Sequence, residues 1–166
     1  MTDQHETQED ESNELKVVKI ITDWMQRLPM MGNNGEGFIY RKIPVVVGES
    51  QPDYEIWWNN LTVGVVEIKC RTSDYESWMI DRDKLVMLRN KYQKMGVPAM
   101  LAFAHVEDGE VHQVCFADLR ALVSGRILWT DATDAMMGTT NHGKEKRANP
   151  KKGYCIPRSL FWRLME

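Results

Sequence analysis

Residues 52–71, PDYEIWWNNLTVGVVEIKCR, constrain the fold more than any other part of this sequence. Two runs rich in β-branched and aromatic residues, the types that strands prefer, lie on either side of Asn59 and Asn60. Asparagine tolerates the backbone conformations that tight turns need. The segment therefore predicts a β-hairpin.

Charged residues lie inside the second run of this hairpin. Glu67 and Lys69 interrupt a stretch of valine, isoleucine and cysteine. Side chains alternate along a strand, so both charges point to one face, which they share with Val63 and Val65. Charges inside an apolar strand are costly unless they are paired or bind a metal.

Asp53 can join this face if it lies opposite Glu67 on the neighbouring strand. That register requires an odd-numbered connection, and we expect a three-residue loop at residues 59–61. A two-residue Asn-Asn turn would pair Asp53 with Val66 instead, and its carboxylate would then point to the other face.

Two carboxylates and an ammonium on one patch suit a hard divalent cation, Mg²⁺ or Mn²⁺, which commonly binds one or two carboxylates and substrate phosphate oxygens. A metal in this position lowers the pKa of water and stabilises charge on a phosphate undergoing attack. Lys69 then orients the nucleophile or screens the phosphate.

The pattern of Pro52-Asp53 followed by Glu67-Ile68-Lys69 resembles the PD-(D/E)xK signature of the restriction-endonuclease-like nuclease superfamily. The resemblance implies that Asp53, Glu67 and the backbone carbonyl of Ile68 bind the metal and that Lys69 assists the attacking water. Asp53, Glu67 and Lys69 are accordingly the candidate catalytic residues. It also implies an α/β fold with an αβββαβ core, a mixed central sheet flanked by helices. The alternative is a surface strand pair whose charges are solvated.

A helix is expected before the hairpin, from Ser12 to the residue before Pro29, because apolar residues recur there at three- and four-residue steps. Glu14 lies on the apolar face of this helix. Many nucleases of the resembled superfamily supply an acidic residue from this helix, so Glu14 is a further candidate metal ligand. The alternative is an ordinary first-turn glutamate that interacts with the helix dipole.

A second helix is expected over residues 79–95, with Asp81 or Asp83 as its cap. Lys84 lies in its first turn and can reach the charged patch, where the resemblance implies a contact with the scissile phosphate. Arg82 is the other option, and solvated surface charges are the alternative for both. A central strand over residues 97–106 follows this helix.

The rest of the chain is expected to form a hairpin strand at 111–116, a short helix at 117–123 and a closing helix at 159–165. With a further strand expected at 38–47 before the hairpin, the predicted order is helix, three strands, helix and strand, which is the order that the resemblance implies.

The net charge of −3 is unevenly distributed, because residues 1–14 carry six acidic residues and no lysine or arginine. The remaining residues carry a net charge of +3, which permits contact with DNA. We expect a disordered acidic tail at 1–11 and a single domain at 12–166, with a flexible basic loop at 130–153. The candidate nucleic-acid-binding residues are Arg71, Lys84, Lys144, Lys146, Arg147, Lys151 and Lys152. The alternative for the loop is a solvated run of charge.

Three cysteines without a close pair argue against a zinc site or a disulfide framework and favour a reducing cytoplasm. No apolar run is long enough to span a membrane, so no membrane partner is expected.

These observations predict a metal-dependent DNA nuclease that hydrolyses phosphodiester bonds. The small size favours recognition of DNA structure over sequence, as in phage and archaeal Holliday-junction resolvases, and a homodimer is implied by that resemblance alone. Two alternatives are a DNA exonuclease of the same fold and a non-catalytic nucleic-acid- or protein-binding module that keeps the fold.

Overall fold

The computed structural model of the chain describes residues 8–28, 37–73, 76–119, 134–137 and 151–165. The helices are α1 (Gln8–Gln26) and α2 (Arg82–Met95). The strands are β1 (Ile39–Lys42), β2 (Tyr54–Trp58), β3 (Leu61–Arg71), β4 (Ser77–Asp81), β5 (Ala99–Glu107), β6 (Glu110–Asp118), β7 (Asp134–Met137), β8 (Lys151–Pro157) and β9 (Trp162–Met165).

A six-stranded mixed sheet in the order β1-β2-β3-β5-β6-β9 forms the centre of the molecule. β3 and β5 run parallel, and the other neighbouring pairs run antiparallel. The parallel pair is connected through α2, as a parallel pair requires a crossover connection. The sequence of α1, β1, β2, β3, α2 and β5 matches the predicted αβββαβ order, with β4 as an addition between β3 and α2. The predicted fold class is confirmed.

Each face of the six-stranded sheet covers its own apolar core. The α1-side core contains the buried face of α1 together with alternate residues of β2, β3, β5 and β6, among them Val17, Ile21, Ile56, Val66 and Ile68. The α2-side core contains the other residues of β3 and β5, with α2, β4 and β8, among them Val65, Trp78, Leu88, Leu101 and Phe103. The strict alternation along β3 is what separates Glu67 from Val66 and Ile68.

α1 begins at Gln8, four residues before the predicted start at Ser12. Glu9, Asp10 and Glu11 occupy its first turn, where negative side chains interact favourably with the helix dipole. Residues 8–11 therefore belong to the helix and not to a disordered tail, a correction to the predicted boundary. Residues 1–7 lie outside the described part of the chain.

The β2–β3 hairpin has the predicted register, but a different turn and a β-bulge produce it. Trp58 pairs with Leu61, so the connection is a two-residue turn in which Asn59 and Asn60 have φ angles of 48° and 61°. The expected three-residue loop is therefore wrong. A β-bulge between Ile56 and Trp57 restores the odd register, because it leaves one extra residue on β3.

The bulge shifts the pairing so that Tyr54 lies opposite Val66. Continued by one residue, this register sets Asp53 against Glu67, as the sequence predicted. The extra residue is Val63, which packs against the α1-side core and not on the face of Glu67, contrary to expectation.

The second hairpin, between β5 and β6, turns at Asp108 and Gly109, with φ angles of 51° and 74°. Glu107 pairs with Glu110 across this two-residue turn. Asp-Gly is a favoured sequence where both turn residues need positive φ, which explains why the turn was predictable.

The C-terminal segment differs from the prediction. In place of a closing helix at 159–165, a 3₁₀ turn at Arg158–Leu160 leads into β9, which pairs with β6. Trp162 stacks on Phe116 of β6 and on Trp24 of α1, at centroid distances of 6.3 and 6.4 Å. This aromatic packing and the free edge of β6 outweigh a helical pattern that is too short to be stable alone.

Two of the strands fall within the predicted flexible loop at 130–153. β7 and the start of β8 pair with each other, and β8 pairs with β4, in a three-stranded sheet. Residues 138–150 lie outside the described part of the chain, as do residues 120–133, which include most of the predicted helix at 117–123. Residues 117 and 118 belong to β6.

Candidate active site

Asp53 is attached to the edge of β3 by two hydrogen bonds. Its N–H donates to the carbonyl of Val66 at 3.0 Å, and its carboxylate Oδ2 accepts from the N–H of Ile68 at 2.6 Å. The N–H and C=O of one residue in an extended strand point to the same edge, so the carbonyl of Ile68 also faces the Asp53 side. Two of the predicted metal-binding groups are therefore adjacent.

Glu67 is completely buried, with a relative exposure of 0 %. It follows Val65 on the α2 side of β3. Its Oε1 lies 2.5 Å from Nζ of Lys69, whose side chain is 25 % exposed. The ion pair offsets part of the free-energy cost of removing a carboxylate from water. It also connects a fully buried carboxylate to a partly exposed ammonium group.

Lys84, in the first turn of α2, reaches the same carboxylate. Its Nζ lies 3.2 Å from Oε1 and 3.3 Å from Oε2 of Glu67, and it donates to the carbonyl of Gln51 at 3.1 Å. Asp81 caps the helix at this end by accepting the N–H of Asp83 at 2.8 Å, as one of the two predicted caps. The start of α2 is thus held against the segment that precedes Asp53.

The pKa of Asp53 is raised from 3.8 to about 6. Burial is the largest cause and the nearby carboxylate of Glu67 the second, while Lys69, the Ile68 N–H and Lys84 act in the opposite direction. Burial alone would lower the pKa of Lys69, but Glu67 and Asp53 outweigh it and raise that pKa. Burial and mutual repulsion of the two carboxylates thus outweigh the attraction of the lysines at Asp53.

The residues fit a divalent cation. Oε1 of Glu67 is buried and has ion-pair neighbours, yet it accepts no hydrogen bond of good geometry. The oxygen donors are the carboxylates of Asp53 and Glu67 and the Ile68 carbonyl. Within the described ranges, no group of three or more His, Cys, Asp or Glu side chains has metal-binding spacing. A site with two carboxylates suits Mg²⁺, which keeps several of its waters, better than a fully protein-coordinated metal.

Glu14 has an ion-pair partner of its own. It forms an ion pair with Lys42 of β1 at 2.5 Å, and Lys42 also lies over the ring of Tyr54, a member of the α1-side core. Burial first, and then Glu14, raises the pKa of the Cys70 thiol to about 12, so Glu14 is close to a residue on the α1 side of β3. The described structure does not gather Glu14 with Asp53 and Glu67, and its role as a ligand gains no geometric support.

Arg71 follows Lys69 by two residues on β3 and therefore faces the α2 side. Its Nη1 donates to the carbonyl of Cys70 at 2.9 Å, and the side chain is partly exposed. Among the other predicted DNA contacts, Lys151 and Lys152 lie on β8, where the backbone is described, and three lie outside the described residues: Lys144, Lys146 and Arg147.

The sequence reasoning missed Lys42 and Gln51. Lys42 lies on the same face of β1 as Tyr40, a pattern that indicates a charged position on a half-buried face but not its partner. Gln51 contributes a backbone carbonyl, for which no residue type is a signal. Among the cysteines whose side chains are described, Cys70 is partly buried and Cys115 is buried, and neither forms a disulfide.

No family model matches the chain, and no curated protein matches it. Among solved structures, the chain is similar to Hjc, a Holliday junction resolvase from the hyperthermophilic archaeon Archaeoglobus fulgidus, at 15% identity and a TM-score of 0.43. The match covers 75% of this chain and 78% of that one. The resemblance stated from the sequence had named a protein of this kind. Neither helix of the described residues is long and apolar enough to cross a membrane.

Proposed function

We propose that this protein is a metal-dependent nuclease that hydrolyses phosphodiester bonds of DNA. The observation that carries the proposal is the buried carboxylate of Glu67, held beside Asp53 and Lys69 at one edge of β3. A protein that binds DNA without cutting it has no physical need for two neighbouring carboxylates, because they repel the phosphates.

Asp53, Glu67 and the carbonyl of Ile68 would hold Mg²⁺ or Mn²⁺. A cation bound there supplies positive charge to the phosphate oxygens and lowers the pKa of water. Lys69 lies beside these carboxylates, and its ammonium can orient the attacking water and stabilise negative charge as a hydrogen-bond donor. Arg71 and Lys84 supply further positive charge for the phosphate backbone.

We further propose that the enzyme recognises DNA structure, as a junction-resolving endonuclease does, and that it acts in the cytoplasm as a homodimer. The basic residues named above contact phosphates and carry little sequence information. Light scattering coupled to gel filtration tests the homodimer.

The test is a cleavage assay on branched, linear double-stranded and single-stranded DNA, with Mg²⁺, Mn²⁺ or EDTA. We expect metal-dependent cutting that is fastest on the branched substrate and is lost in Asp53→Ala and Lys69→Ala. Lys94→Met is the matched control, since Lys94 is an exposed lysine on α2, and it should cut like the wild type.

Each other result identifies an alternative. Progressive loss of nucleotides from linear ends indicates the exonuclease. Binding of DNA without cutting, unchanged in Asp53→Ala, contradicts the nuclease and indicates the binding module. Circular dichroism of each variant establishes that the fold is preserved.

A further inference from the structure

The ammonium of Lys84 makes three contacts with oxygen atoms, and this number matches its three N–H donors. Two are the oxygens of Glu67, at 3.2 and 3.3 Å, and the third is the carbonyl of Gln51 at 3.1 Å. The side chain is 28 % exposed, while Glu67 is fully buried. Lys84 thus covers the carboxylate from the solvent side of α2.

The charges around Glu67 balance. Asp53 and Glu67 carry two negative charges when ionised, and Lys69 and Lys84 carry two positive charges. Lys69 is on the same strand as Glu67, two residues away. Lys84 comes from a helix, and it occupies the first turn, where the helix dipole disfavours a cation. The position of the Lys84 side chain therefore depends on its contact with Glu67 more than the position of the Lys69 side chain does.

A divalent cation on Glu67 and the ammonium of Lys84 cannot share this carboxylate without strong repulsion, because two cations a few ångströms apart in a partly buried site are poorly screened. We propose that Lys84 is an internal counterion that competes with the metal for Glu67 and leaves the carboxylate when the metal binds. This inference rests on the proposed metal-dependent function. It assigns Lys84 a role in the metal-free protein in addition to the phosphate contact predicted from the sequence.

The competition has a directional consequence. Removal of Lys84 leaves the cluster with a net negative charge and frees Oε2 of Glu67, while Lys69 stays beside Oε1. The variant should therefore bind the metal more tightly, whereas loss of an ordinary supporting residue loosens a metal site.

The first experiment is isothermal titration calorimetry, in which MnCl₂ or MgCl₂ is titrated into the full chain without DNA. We expect Lys84→Met to lower the dissociation constant at least about tenfold, or about 1.4 kcal/mol. Lys84→Gln, which keeps a hydrogen-bond donor but not the charge, should lower it in the same direction. Lys94→Met should leave it unchanged.

The second experiment uses the wild-type protein and does not depend on the folding of a variant. An amine-selective acetylating reagent is applied with and without Mn²⁺, and the modified lysines are quantified by mass spectrometry. We expect modification of Lys84 to increase severalfold when Mn²⁺ is added, and modification of Lys94 to stay constant.

Failure of this inference and failure of the proposed function are distinguishable. If the wild type binds Mn²⁺ but both Lys84 variants bind it equally or more weakly, or if Lys84 becomes no more reactive, the competition is refuted and the nuclease proposal stands. If the wild type binds neither cation and cuts no DNA, the proposed function falls, and the competition with it.

Discussion

The two faces of the central sheet are built from the same strands but hold very different side chains. On the α1 side, Val66 and Ile68 of β3 are buried among aliphatic and aromatic groups, and the ion pair of Glu14 with Lys42 is partly exposed. Glu67 lies between Val66 and Ile68 in the sequence but points to the α2 side. There it is fully buried and forms ion pairs with Lys69 and Lys84.

The comparison shows how one strand can serve stability and chemistry separately. Alternation lets neighbouring residues belong to different environments, so an apolar core can be kept intact behind a charged site. Of two substitutions one residue apart, the one on the α2 side should therefore mainly lower activity, and the one on the α1 side should mainly lower stability.

The largest expected effect comes from Glu67 and Ile68, which are neighbours with opposite orientations. Glu67→Gln should lower cleavage on the order of a thousandfold, because it removes a metal-binding carboxylate. Its free energy of unfolding should fall by less than that of Ile68→Ala, because repulsion with Asp53 is relieved and the partly exposed Lys69 and Lys84 can reach water.

Ile68→Ala should do the reverse. Loss of a fully buried side chain should lower the free energy of unfolding by about 2 to 4 kcal/mol, and the folded fraction should cleave within a few-fold of the wild type. Urea unfolding and cleavage assays at a temperature where the variant is folded measure both quantities. Equal losses of stability and activity in both variants would break the comparison.

A smaller effect is expected from the pH dependence of Asp53 in EDTA. Its pKa is raised to about 6 in the folded protein, so between about pH 4 and 6 the folded state binds more protons than the unfolded state. Asp53 should therefore make stability fall as the pH rises through this window, and the loss should persist above it.

Asp53→Asn keeps an acceptor for the Ile68 N–H but cannot ionise. At pH 7 to 8 it should be more stable than the wild type by about 1 to 2 kcal/mol, and the difference should vanish towards pH 4. Urea titrations at each pH measure the difference. A wild-type stability that rises relative to the variant across the window contradicts the raised pKa of Asp53.

The smallest effect is expected from Glu14, which belongs to the α1 side. Because Glu14 pairs with the partly exposed Lys42, Glu14→Gln should lower the free energy of unfolding by less than about 1 kcal/mol. Its affinity for Mn²⁺, measured by calorimetry, should stay within about threefold of that of the wild type. Loss of Mn²⁺ binding would instead make Glu14 a third carboxylate of the site, and the division between the two faces would need revision.

Much of the fold followed from local patterns. The β2–β3 and β5–β6 hairpins, the two helices and the parallel strand β5 were predictable, because each combines a clear periodicity with turn or capping residues at its ends. The Asp81 cap is one such signal. β9 was missed because a segment this short fits a helix or a strand, and β6 decided between them.

The sequence by itself determined that Glu67 and Lys69 share a face and that Asp53 could meet them, because alternation along a strand is a local property. The tertiary structure alone decided that a bulge in place of a longer loop brings Asp53 to this face, and that Lys84 reaches Glu67 from the start of α2. Those outcomes depend on which groups from distant segments are packed within a few ångströms of each other. The periodicity of apolar residues in the sequence does not determine such distances, because they result from the packing of the whole domain.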